Sequence, residues 1–286
     1  MPSFHFQQMI LQCGTYRLAL DRPLIMGVVN VTPDSFSDGG HYLHLDAAVA
    51  HARRLIDEGA DLLDIGGEST RPGAAAVSLE EERRRVLPVL EALLSVNIPL
   101  SVDTQKPELM REAAAAGAAM INDVNGFEAA DALQAVSVSN CAVCIMHKQG
   151  QPQTMQQSPQ YRDVVAEVDA YLRKRIVATE AAGIAKSRLV IDPGFGFGKT
   201  LEHNLSLLRE LSRLAAAGVP VLAGLSRKSM IGALTGREVG DRVFGSVAAA
   251  LIAAQRGASI LRVHDVAATR DALAVWKAVE FNKNND

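Results

Sequence analysis

The chain has 286 residues, 48% hydrophobic and 21% charged, enough apolar material for a large core and too much for a disordered chain. Its net charge of −3, from 29 basic and 32 acidic side chains, gives no electrostatic reason to expect nucleic acid or an anionic membrane as a partner. No apolar stretch reaches the roughly 20 residues of a membrane span and residues 1–12 lack a leader pattern, so a cytoplasmic location is expected.

In chain order, residues 9–20 hold two apolar stretches broken at Cys13 and Gly14, the pattern of a β-hairpin. Eight short apolar runs follow, at 24–31, 62–65, 99–102, 120–121, 142–146, 189–191, 221–225 and 260–263. Between and after them lie helix-like stretches at 45–58, 79–94, 107–116, 129–139, 164–182, 201–217, 242–256 and 267–279. Pro107 opens one of these, and Gly59, Gly117, Gly183, Gly218 and Gly257 close others, the start and stop signals of repeated βα units. The runs are nearly continuous in Val, Ile, Leu and Ala, as in a parallel sheet covered by helices. Eight such units in roughly 250 residues predict an α/β fold, a single (β/α)8 TIM barrel. One domain is expected over 1–286, with residues 1–22 as a hairpin capping the barrel bottom and 23–280 as the barrel.

In such a barrel the strand ends meet at one mouth. Here they carry Asn30, Glu68 with Ser69 and Thr70, Asp103, Asn122 with Asp123, His147, Asp192, Ser226 to Lys228, and Arg262 with His264. Ends 7 and 8 commonly bind phosphate; Arg262 and His264 share a strand face, and Ser229 begins a helix whose first amides favour anions. Asp103, Asn122 and Asp192 supply acceptors plus an amide that also donates, a set that suits a flat nitrogen heterocycle. The turn-rich segment after Asn30 and the loop from Glu68 to Gly73 are long enough to act as lids. A hard cation such as Mg²⁺ needs few protein oxygens when a substrate phosphate supplies the rest, and Asn30 offers one.

Two patterns mislead. Residues 194–200, Gly-Phe-Gly-Phe-Gly-Lys-Thr, resemble a phosphate loop, but the required spacing would put glycine at Pro193. Cys141 and Cys144 resemble a metal or redox pair, yet an offset of three sends their side chains to opposite faces of a strand.

The segment Met26 to Gly40 (Met-Gly-Val-Val-Asn-Val-Thr-Pro-Asp-Ser-Phe-Ser-Asp-Gly-Gly) and the segment Gly66 to Gly73 (Gly-Gly-Glu-Ser-Thr-Arg-Pro-Gly) resemble the two signatures of the dihydropteroate synthase family. Ser101 to Thr104, Ile121 to Val124, Ile191 to Lys199, Ser226 to Ser229 and Arg262 to Asp265 match it further, in family order. The resemblance implies a transferase of folate biosynthesis that condenses (7,8-dihydropterin-6-yl)methyl diphosphate with 4-aminobenzoate, using Mg²⁺, and a target of sulfonamides. It implies that Asp103, Asn122, Asp192 and Lys228 hold the pterin, and that Asn30, Thr70, Arg262 and His264 serve the diphosphate and metal. Phe36, Pro72, Phe197, Lys228 and Ser229 would surround the aminobenzoate. The chemistry implied falls on Asp103, Lys228, Arg262 and His264, and the family is commonly homodimeric. Lys148 and Gln105 depart from the commonest pattern at positions with no implied role. A pterin-dependent methyltransferase would share the acids without needing an anion site, and a non-catalytic pterin-binding paralogue would lose the anion and metal groups; all of these are present here.

Overall fold

A computed structural model describes residues 9–31, 41–69, 76–150, 155 and 158–280. β1 (Ile10–Cys13) and β2 (Tyr16–Ala19) form an antiparallel hairpin in which Cys13 pairs with Tyr16. The remaining strands are β3 (Leu24–Asn30), β4 (Leu62–Gly66), β5 (Leu100–Asp103), β6 (Met120–Asp123), β7 (Ala142–Met146), β8 (Leu189–Asp192), β9 (Val221–Ala223) and β10 (Ala258–Val263). They close into an all-parallel barrel in sequence order, β10 pairing with β3. Around it run α1 (His41–Asp57), α2 (Leu79–Leu93), α3 (Pro107–Ala116), α4 (Ala132–Ser137) and α5 (Val164–Ala181). These are followed by α6 (Leu201–Arg209), α7 (Leu211–Ala215), α8 (Ser229–Thr235), α9 (Val243–Gln255) and α10 (Val266–Glu280). The TIM barrel expected from the eight runs is the fold found.

Alternate residues of a strand face alternate sides, and that parity divides the molecule. Leu24, Leu62, Met120, Cys144, Val190 and Ile260 fill the lower interior in one cluster with Leu11, Cys13 and Leu20 of the hairpin. The hairpin therefore closes the bottom of the barrel, as expected. The opposite parity, including Ile25, Leu63, Val102, Ile121 and Leu261, packs outward against the helices. Cys141 belongs to that outer cluster and Cys144 to the inner one, so the two thiols do face apart.

Two helical expectations change. The stretch 201–217 is two helices, because the chain leaves helical geometry at Glu210 (φ −103°, ψ 19°) and restarts at Leu211. The stretch 129–139 shortens to α4, entered through Asp131 in a left-handed conformation (φ 66°). Among the described residues no helix is long and apolar enough to cross a membrane.

Candidate active site

Above the apolar layer the inward parity turns polar. Asp64 on β4, Asp103 on β5, Asn122 on β6, Asp192 on β8 and Arg262 on β10 all stand at the mouth end of the interior, with Asp103 beside Asn122 in register. The Arg262 guanidinium spans them: Nε donates to Asp64 Oδ2 at 2.6 Å and Nη2 to Asp103 Oδ2 at 3.0 Å. Asn122 Nδ2 donates to the same Asp64 oxygen at 3.1 Å. Three buried acceptors here, Asp64 Oδ1, Asn122 Oδ1 and Ser101 Oγ, have no hydrogen-bond partner among the described residues. Burying such groups unpaired costs about 1–3 kcal/mol each, so they fit a ligand that brings donors.

The electrostatics follow from burial and close charges. Burial, then the neighbouring Asp64 charge, raises the Asp103 carboxyl, with Arg262 opposing. Burial works against the Arg262 charge as well, but Asp64 and Asp103 outweigh it and hold that group above its ordinary range. Asp192 is raised mainly by burial, against the Lys228 charge.

The wall opposite Asp64 is built by the loops after β8 and β9. Asp192 Oδ1 accepts from the Gly194 amide at 2.7 Å, so this carboxylate shapes the glycine-rich loop as well as facing the mouth. Lys228 donates to the Phe195 carbonyl and lies 4.6 Å from the centre of the Phe197 ring, a cation–π contact. Burial lowers its pKa to about 8, against Asp192. Ser229 begins α8, as expected, although that helix has only seven residues. His264 Nδ1 lies 3.0 Å from Ser226 Oγ, which also accepts the His264 amide at 3.2 Å.

The strand ends thus bring together Asp103, Asn122, Asp192 and Arg262, with Lys228 and Ser229 at the start of α8, Phe197 and His264 on the adjoining loops, and Asn30 at the end of β3. Thr70, Phe36 and Pro72 lie outside the described residues. Arg227, although next to Lys228, turns away to an ion pair with Asp265 at 2.5 Å. Arg262 makes two ion pairs with the acids of the inner floor, through Nε and Nη2.

Asp64 was missed by reading strand ends alone. It lies mid-run in Leu-Leu-Asp-Ile-Gly, and its signal is parity: it shares a face with Leu62 and Gly66 inside the barrel. His147, at the end of β7, faces Lys199 rather than the mouth acids, its Nδ1 3.0 Å from Nζ.

The sequence pattern of the pterin binding enzyme family matches residues 26–264. The dihydropteroate synthase of Escherichia coli strain K12 is 51% identical over 269 residues, covering 94% of this chain and 95% of that protein. The chain belongs to the dihydropteroate synthase family. Among solved structures, Xanthomonas albilineans dihydropteroate synthase with 4-aminobenzoic acid superposes with a TM-score of 0.91 at 61% identity, covering 96% of this chain and 99% of that one. The same organism's dihydropteroate synthase in complex with 7,8-dihydropteroate gives 0.85 at 56% identity, with 95% and 98% covered. The family expected from the signature segments, a transferase family of folate biosynthesis, is therefore the one found.

Proposed function

We propose that this protein joins (7,8-dihydropterin-6-yl)methyl diphosphate to 4-aminobenzoate, releasing diphosphate, at the mouth formed by β3 to β10. The observation that carries this reading is the inner floor: two carboxylates and an amide bridged by one guanidinium, with Asp64 Oδ1 and Asn122 Oδ1 unpaired. A pterin edge rich in N–H groups answers those acceptors, and Asp103, Asn122, Asp192 and Lys228 are its contacts. Phe197 and Ser229, with Phe36 and Pro72 from the first two loops, flank the aminobenzoate; Thr70, Arg262 and His264 take the diphosphate.

In this mechanism the C–O bond to diphosphate breaks largely before the aniline nitrogen attacks, and electron release from the dihydropterin stabilises the methylene cation. Asp103, held beside the ring, favours that cation. Arg262 and His264 face the departing charge, and groups aimed at developing charge are typically worth about 3 kcal/mol each. No nucleophilic side chain is needed. Asn30 is a single neutral oxygen donor, and among the described residues no three His, Cys, Asp or Glu side chains gather to hold a metal. That donor set suits Mg²⁺ taking its other oxygens from water and diphosphate, where the ion would neutralise leaving-group charge.

We read residues 1–286 as one domain, 1–22 the hairpin and 23–280 the barrel, working in the cytoplasm as a homodimer. Supporting the dimer, α8, α9 and α10 are neighbours that expose Leu234, Phe244, Val275 and Val279, Phe244 by 85%. The test is direct: with the pterin diphosphate, 4-aminobenzoate and Mg²⁺ supplied, diphosphate release should require all three. Release that ignores aminobenzoate, or none at all, would overturn the reading.

A further inference from the structure

The loop from Pro193 to Thr200 fails the phosphate-loop spacing, yet it ends in a buried lysine. Lys199 is 3% exposed. Its ammonium donates to the carbonyls of Gly194 (2.9 Å) and Phe197 (3.0 Å), lies 3.0 Å from His147 Nδ1, and has the His147 carbonyl at 3.4 Å. The loop is thus wrapped round a lysine amine of its own chain rather than round an anion. Its glycines make the wrapping possible: Gly194 and Gly198 have positive φ, and a Cβ on either would meet the carbonyl oxygen of His147 at 1.8 Å or of Gln149 at 2.2 Å. Asn204, buried on α6, fixes the middle of the loop by accepting the Gly196 amide at 2.7 Å. Between these anchors the loop turns outward twice, once to give the Phe195 carbonyl to Lys228 and once to lay the Phe197 ring beside it.

We propose that Lys199 is a positioning residue for second-substrate binding: clasped by His147 and the Gly194 and Phe197 carbonyls, it sets the loop shape that presents Phe197 and Lys228 at the mouth. His147 shares the task. Its Nδ1 accepts from Lys199, which requires the neutral ring with the proton on Nε2, and Tyr171 stands edge-on to that ring at 4.9 Å. When the amine is charged, its three protons meet three main acceptors, while burial lowers its pKa to about 7; the clasp is thus set by the geometry of these contacts. The contacts of Lys199 are with His147 and with carbonyls of its own loop, so it acts through the loop. This inference rests on Phe197 flanking the aminobenzoate.

Lys199→Met removes the ammonium and keeps most of the side-chain volume. With saturating pterin diphosphate, the KM for 4-aminobenzoate should rise about tenfold or more in Lys199→Met and in Phe197→Ala, and in Lys199→Met kcat should stay within about threefold of the parent. Because both changes act through one ring, the double variant should be little worse than either single one, whereas independent effects would multiply. Nitrogen-15 NMR of labelled histidine should show the His147 Nδ1 resonance of an unprotonated, hydrogen-bonded acceptor in the parent and its change in Lys199→Met. If Lys199→Met does not fold, Lys199→Gln, which retains donors but no charge, carries the same measurements. A raised KM in Phe197→Ala with an unchanged one in the folded Lys199 variant would overturn the positioning role and leave the site reading intact. An unchanged KM in Phe197→Ala would instead remove the aminobenzoate placement and this inference with it. Multiplying effects in the double variant would reduce Lys199 to a stabiliser of the fold.

Discussion

Asp64 shows how much one side chain decides at this site. It is fully buried, ties Arg262 and Asn122 into one network, and has a second oxygen with no hydrogen-bond partner among the described residues. Removing one member of a buried ion pair strands its partner and costs about 3–5 kcal/mol. Because Arg262 retains Asp103, Asp64→Ala should fall near the lower end, about 3 kcal/mol, in urea unfolding, together with a marked loss of pterin binding. A stability within about 1 kcal/mol of the parent would reject this account of the network. His147 gives a pH prediction. Burial first, and then the Lys199 charge, lowers its pKa to about 3, whereas an unfolded histidine titrates near 6.5. The folded state therefore binds fewer protons between those values, so this residue's stabilising contribution is full above about pH 6.5 and is lost as pH falls toward 3. Denaturation midpoints of the parent and His147→Asn across that range should converge as pH falls; a constant gap would show that His147 carries no such linkage.

At the scale of elements, the barrel separates support from chemistry along its axis. The hairpin β1–β2 inserts Leu11 and Cys13 beneath the inner apolar layer, while the described candidate site residues stand at the other end. Leu11→Ala should thus cost about 2–5 kcal/mol, the range for emptying a core leucine site, with KM for both substrates unchanged. Equilibrium unfolding and steady-state kinetics on the same sample check both halves, and an altered KM would mean that the two ends are coupled. Near the mouth, a partly buried ionic clasp ties α2 to the start of α3: Lys106 donates to Glu68 at 2.6 Å and also to Glu82, which is fully buried on α2. Glu68 in turn accepts the Val77 amide at 3.2 Å. The two flanks of the second loop are therefore held to one point, at Lys106.

For the whole molecule, the exposed apolar residues on α8 to α10 set the quaternary prediction. Phe244→Asp places a charge where 85% of an aromatic side chain faces out. It should convert a dimer to a monomer by analytical ultracentrifugation with the thermal unfolding of each chain little changed; an unchanged mass would move the interface elsewhere. The barrel itself was legible from the chain because its signals are local. Apolar runs, a proline at a helix start and glycines at helix ends act within a few residues, and eight repeats leave few alternatives. The acids and amide at ends 3, 4 and 6, with Lys228 and Arg262, were legible for the same reason, since strand ends converge in any barrel. Asp64 was hidden because its role depends on strand parity and on a guanidinium 198 positions away. Lys199 was hidden because its partners come from two loops. The sequence by itself determined the order of elements, the location of the mouth and the family. Only the tertiary structure decided which charges pair: that Arg262 spans two acids, that Arg227 turns away to Asp265, and that Lys199 is clasped by carbonyls. Pairing depends on distances of a few ångströms between residues far apart in the chain, and no local pattern encodes those distances.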